Sequence, residues 1–246
     1  MYMRFDILDL KEFYAGKIGQ LALELLSERL IESWPSLKDQ RLCTIGYGLP
    51  YIERNWPGDN ATAFMPATMG VVPWPEGREN KTALVNEVHL PLADNSADYI
   101  LIIHALEMTY DPETMMHELW RVLVPGGRVL IVVPSRSGIW ARRDITPWGS
   151  GRPFSRSQLR HLLRDAGFSP LTWTACLAAP PIRWTPMMRI AKLIERPMRR
   201  VLPQLCGLNI VEAQKLVYAP VNRARTRSFV LKPVTRPALI PRMDKF

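Results

Sequence analysis

The sequence predicts an α/β fold built on a mostly parallel sheet, and three observations carry that expectation. Short apolar runs alternate with segments of helical periodicity along the chain. One run, residues 97–106 ("ADYILIIHAL"), is apolar at nearly every position, as a strand covered on both faces requires. Two glycines, Gly46 and Gly48, follow the first apolar run, where a strand turns tightly and backbone must come close to a neighbour.

The elements follow in order. From Asp9 to Trp34 the apolar residues Ile18, Leu21, Ala22, Leu25, Leu26 and Leu30 share one stripe, which predicts a helix stopped by Pro35. "RLCTIG" (41–46) and "ATAFM" (61–65) read as the first two strands. Residues 66–80 hold three prolines and two glycines, which excludes a regular helix there. "KTALVNE" (81–87) is the third strand and 97–106 the fourth. Asp111 is placed to cap a helix with Pro112 and Glu113 in its first turn, running to about Leu123. Pro125, Gly126 and Gly127 then turn the chain into a fifth strand over 128–134. Ser155 or Ser157 starts the next helix, closed by Gly167. Residues 171–178 and 209–219 complete the set of seven strands.

At 246 residues and 47% hydrophobic content, the chain is long enough to bury a substantial core. Cys43, Cys176 and Cys206 are too few and too far apart for a disulfide framework, so a cytoplasmic location is the expectation. The charged start of the chain is unlike a signal peptide, and no run of 18 apolar residues predicts a membrane span. His89, His104, His117 and His161 make no ligand spacing with the cysteines, so no metal is expected. The net charge of +9 is concentrated late: residues 222–246 carry seven Lys/Arg against one acid, and 183–202 carry six against one. The rest of the chain is close to neutral, so the basic pI is no strong signal for nucleic acid. The expected organisation is an N-terminal helical cap (1–40), a domain (41–221) with a basic amphipathic insertion (183–202), and a basic mobile tail (222–246).

Several phrases then carry a family resemblance. Residues 90–135, "LPLADNSADYILIIHALEMTYDPETMMHELWRVLVPGGRVLIVVPS", resemble the second half of a class I S-adenosylmethionine-dependent methyltransferase of the small-molecule type. The matching pieces are Leu90–Asp98, His104–Glu107, Asp111–Pro112 and Arg121–Ile131. The resemblance spans about residues 40 to 180. It implies a Rossmann-like sheet of seven strands, mostly parallel with an antiparallel last strand, that binds S-adenosylmethionine across the carboxyl ends of its first strands.

The same resemblance implies roles for individual positions. Gly46 and Gly48 would meet the amino-acid end of the donor. Asn86 and Glu87, ending strand three, would lie by the adenine. His104 would lie near the sulfonium and is a candidate general base. Tyr14 would line the acceptor side or, as the residues alone favour, pack in the core. The chain departs from the family at three places: Thr44 replaces an acid, Pro50 a third glycine, and Met65–Pro66 an acid for the ribose hydroxyls. Losing a charged hydrogen-bond partner costs roughly 1.5–3 kcal/mol, about tenfold or more in affinity. Two readings therefore stay open. One is a methyltransferase acting on a small-molecule or lipid-like acceptor. The other is a non-catalytic relative with a degraded cofactor site that binds a protein partner.

The long segment 136–155 has the composition of a binding loop, with Arg142, Arg143 and Arg152 available to an anion and Trp140 and Trp148 to a partner. In 183–202, Met187, Ile190, Ala191, Ile194, Met198 and Val201 fall on one side of a helix broken or kinked at Pro197. Such a basic amphipathic helix packs on its own domain or a partner, or rests on an anionic membrane surface.

Overall fold

The computed structural model describes residues 5–58, 60–142, 146–181 and 185–217. Arg143 and the basic tail therefore lie outside the described residues. Seven strands form one sheet: β1 (Leu42–Gly46), β2 (Ala61–Pro66), β3 (Thr82–Val85), β4 (Ala97–Ile103), β5 (Leu123–Pro134), β6 (Phe168–Cys176) and β7 (Leu208–Lys215). Their order is β3-β2-β1-β4-β5-β7-β6. The first five are parallel, and β7 runs antiparallel to both β5 and β6, as expected of the last strand.

Both faces of the sheet are covered, which explains the unbroken apolar runs. On β4, Leu101 and Ile103 belong to one core while Ile100 and Ile102 belong to the other; Leu130 and Val132 alternate with Val129, Ile131 and Val133 on β5. Three helices, α1 (Ile7–Ala15), α2 (Lys17–Ser33) and α3 (Leu49–Asn55), supply the first core. The second is closed by α4 (Pro112–Val122) and α5 (Arg156–Asp165). The caps match the sequence reading. Asp111 accepts the Thr114 N–H at 3.0 Å, Ser155 rather than Ser157 caps α5, and Gly167 follows it with φ +82°.

Four expectations need correction. The N-terminal helix is two helices, broken at Gly16, whose backbone is extended. Gly19 lets α2 start against α1, since a Cβ there would sit 1.9 Å from the Phe13 carbonyl oxygen. Strand β5 begins at Leu123, so Pro125–Gly127 form an irregularity within it: Ala97 pairs with Leu123 and Tyr99 already with Arg128. Strand β4 ends at Ile103, three residues early, because His104 turns away with φ +58°. Finally, α6 (Thr185–Val201) runs through Pro197 and is not broken there. The carbonyl that Pro197 leaves without a donor belongs to the exposed Leu193, where water can take it.

Candidate active site

The carboxyl ends of β1 and β4 meet beneath a turn that only glycine permits. Gly46 has φ +93°, and a Cβ on it would stand 2.1 Å from the Ile103 carbonyl oxygen. That oxygen accepts the Tyr47 N–H at 3.1 Å, so the turn rests directly on the end of β4. Gly48 caps α3, and a Cβ there would lie 2.1 Å from Thr44 Oγ1. Thr44 is buried under the turn with its hydroxyl unpartnered. Pro50 occupies the first turn of α3, where a backbone N–H would find no helical partner anyway, so it costs the helix nothing.

His104 is buried in an enclosed aromatic box. Its Nε2 lies 2.8 Å from the Tyr14 hydroxyl, which lies 2.9 Å from the Tyr51 hydroxyl. The His104 ring is 4.9 Å from the Trp148 ring, centroid to centroid. On its other side, Nδ1 is 3.7 Å from Glu107 Oε1, too far for a direct hydrogen bond. Positive φ is uncommon for a residue with a Cβ and is held here by the packing around it. Tyr14 reaches the box from α1, so the first helix contributes to the same cluster as β1 and β4.

Burial sets the protonation states. It pushes Glu107 up to about 8, so the carboxyl is mainly protonated at neutral pH. It drops His104 to about 3, so the imidazole is neutral and resists protonation. The phenols of Tyr14 and Tyr51 rise well above their ordinary value for the same reason. Five buried polar atoms at this end of the sheet have no partner: Thr44 Oγ1, His104 Nδ1, both carboxyl oxygens of Glu107 and Trp148 Nε1. An unsatisfied buried group costs about 1–3 kcal/mol.

The other expected positions stand apart. Met65 is fully buried and Pro66 ends β2, so β2 itself supplies no carboxylate there. The cleft over the end of β2, lined by Phe5, Pro66, Thr68, Met69 and Met108, has a volume of ≈ 10 Å³. That is room for about one water, against the several hundred Å³ of a typical small-molecule pocket. The N-terminal segment closes over this end, with the Ile7 N–H bonded to the Met69 carbonyl at 2.8 Å. Asn86 is exposed and its Oδ1 accepts the Val88 N–H; Glu87 beside it is half-buried. The two follow β3, two strands from β1, roughly 10 Å across the sheet from Gly46.

The loop reading is corrected at its aromatic residues. Trp140 and Trp148 are 1% and 0% exposed and pack on each other, with Trp140 Nε1 donating to the Ala179 carbonyl at 2.7 Å. They anchor the loop to the core and present nothing to a partner. The residue the sequence reading missed is Glu107. Its signal was an acid inside the apolar "HALEM", flanked by the buried Ala105 and Leu106.

Comparisons with known proteins now bear on this geometry. A family profile described as "Methyltransferase domain" matches residues 71–131. The solved structure of a possible histamine N-methyltransferase from Thermotoga maritima superposes with a TM-score of 0.58 at 15% identity, covering 85% of this chain and 96% of that one. The chain has the class I methyltransferase fold. A putative methyltransferase from Haloferax volcanii, solved with its Trm112 activator, superposes at 0.55 with 16% identity over 81% of this chain and 94% of that one. The [4+2]-cyclase SpnF shares the methyltransferase fold at 0.50, with 19% identity over 78% of this chain and 80% of that one.

Among curated sequences, a probable S-adenosylmethionine-dependent methyltransferase of Mycolicibacterium smegmatis is 34% identical over 85 residues, 34% of this chain and 33% of that protein. A malonyl-[acyl-carrier protein] O-methyltransferase of Alcanivorax borkumensis is 34% identical over 87 residues, 33% of this chain and 29% of that protein. The matched segment thus spans about a third of each relative. No helix among the described residues is long and apolar enough to cross a membrane.

Proposed function

We propose that the chain is an S-adenosylmethionine-dependent methyltransferase acting on a small-molecule or lipid-like acceptor. The observation that supports this reading is the group of unpartnered buried polar atoms on Thr44, His104, Glu107 and Trp148 at the carboxyl ends of β1 and β4. Packing alone gives no reason to keep them, because apolar replacements would remove the cost. They fit the amino-acid end of the donor, which carries both hydrogen-bond donors and acceptors. When bound, the donor supplies an activated methyl group.

The chain's own part is alignment and proton handling. Gly46 and Gly48 keep the turn tight against Ile103 and Thr44, and Asn86 and Glu87, two strands away, would meet the adenosine end. His104 stays neutral, and its Nε2 is held by the Tyr14 hydroxyl, so it positions its neighbours and is no strong base. Glu107, a carboxylic acid at neutral pH, stands 3.7 Å from Nδ1 of that ring with its own oxygens unpartnered, so it is free to donate to a bound group. Because methyl transfer to an aligned nucleophile gains mainly from positioning, a strong base is not required.

A second reading, a non-catalytic relative that binds a partner, is favoured by the acid-free Met65–Pro66 and by the ≈ 10 Å³ cleft. SpnF, named as a cyclase, illustrates that this fold does not fix the reaction. Calorimetry separates the two. Micromolar binding of S-adenosylmethionine or S-adenosylhomocysteine, weakened about tenfold by Glu87→Ala, supports the enzyme. No heat and no thermal shift at millimolar cofactor supports the binding protein.

A further inference from the structure

A second cavity, ≈ 530 Å³, opens at the carboxyl end of β5, beside the start of α5 and the turn after α6. It is lined by Ser135, Arg136, Ser137, Ser155, Arg156, Pro203, Gln204 and Asn209, with no acid among these residues. We propose that this cavity binds a phosphate monoester carrying an alkyl group. The ligand class follows from the donors and from the rim.

Two guanidinium groups with no carboxylate beside them leave net positive charge in a concave site, which favours an anion. Ser155 caps a ten-residue helix and takes the Gln158 N–H, so the N–H groups of Arg156 and Ser157 and the helix dipole add to the same field. Asn209 is 4% exposed and uses one amide proton on the Phe154 carbonyl at 3.0 Å. Gln204 adds a further amide. The Ser137 hydroxyl is already committed to the Gln204 carbonyl and is left out of the count. Donors on this scale exceed what the two oxygens of a carboxylate can accept and suit the three terminal oxygens of a phosphate monoester.

Apolar side chains stand exposed within two residues along the chain of these lining residues: Ile139, Leu202 and Leu205. A head-group site with an apolar margin suits an amphiphile better than a bare ion. The phosphate group itself has two possible sources, a soluble ester or a lipid. The bridge between Ser135 and Phe154, with the Phe154 N–H bonded to the Pro134 carbonyl, fixes the cavity wall, and none of its lining residues belongs to the Tyr14–His104–Glu107 box. The inference therefore does not rest on methyl transfer.

The test is calorimetry on the full chain in low salt, without methyl donor, using inorganic phosphate and hexyl phosphate. Hexyl phosphate is expected to bind at least about fivefold tighter than inorganic phosphate, from burial of its first methylenes. The double variant Arg136→Ala/Arg156→Ala should lose at least about tenfold in affinity for hexyl phosphate. Arg164→Ala, on the exposed last turn of the same helix, should change it by less than about twofold. Unfolding followed by circular dichroism verifies that the double variant is folded. If it is not, the single variants Arg136→Ala and Arg156→Ala take its place. No binding by the wild type at millimolar hexyl phosphate, or an equal loss in Arg164→Ala, would overturn the proposal. Equal binding of the two phosphates would overturn the apolar margin. Sedimentation with phosphatidic acid or phosphatidylcholine vesicles then identifies the source. Arginine-dependent binding to the former alone means a lipid head group, and hexyl phosphate binding without vesicle binding means a soluble ester.

Discussion

Replacing Glu107 with Gln should flatten the alkaline limb of the stability curve. In the folded chain burial holds the Glu107 proton up to about pH 8, whereas an unfolded glutamate releases it near 4.5. Between those values the folded state binds one proton more than the unfolded state, so this group makes stability fall as pH rises, by about 1.4 kcal/mol per unit. His104 has the opposite sign. Its folded value of about 3 lies below the ordinary 6.5, so stability falls as pH drops through that window. From 4.5 to 6.5 the two slopes cancel. Above 6.5 only Glu107 still titrates, and the wild type should lose about 2 kcal/mol by pH 8.

Gln keeps the shape and removes the titration. Glu107→Gln should therefore gain about 1.4 kcal/mol per pH unit relative to wild type from 4.5 to 8, roughly 5 kcal/mol over the window. Urea unfolding of both proteins at intervals from about pH 4.5 to 9 measures the difference. A difference that stays constant with pH would refute the buried, protonated carboxyl.

Three further substitutions probe the same end of the sheet. Gly46→Ala forces a Cβ to 2.1 Å from the Ile103 carbonyl oxygen at φ +93°, and thermal unfolding should show a loss of at least about 2 kcal/mol. Gly48→Ala should cost about 1–3 kcal/mol by overpacking against Thr44 Oγ1. Adding Thr44→Ala should restore part of it, and additive losses in urea unfolding would mean the contact is not the cause. Tyr14→Phe removes the hydroxyl shared by His104 and Tyr51, for a loss of about 1–3 kcal/mol. Its His104 nitrogen resonances should shift in NMR spectra, and unchanged resonances would place Tyr14 elsewhere.

Much of this architecture was legible in the sequence because its signals are local. The unbroken apolar run of β4 reports two covered faces, Asp111–Pro112 and Ser155 carry their caps within three residues, and Gly46 needs a left-handed turn wherever the strand ends. Element boundaries were less legible where a tertiary contact decided them. The helix break at Gly16 depends on α2 packing against the Phe13 carbonyl, and β4 stops where His104 turns to meet Tyr14 from 90 residues away.

By itself, then, the chain's order of residues determined the α/β scaffold of seven strands and the glycine turn over β1, which follow from periodicity and backbone freedom, while the antiparallel last strand came only from what the family resemblance implied. Only the folded structure decided which polar groups share one dry box. The protonation of Glu107 and His104, the burial of Trp140 and Trp148, and the pairing of Arg136 with Arg156 in one cavity depend on distance and exclusion of water, which no local pattern encodes.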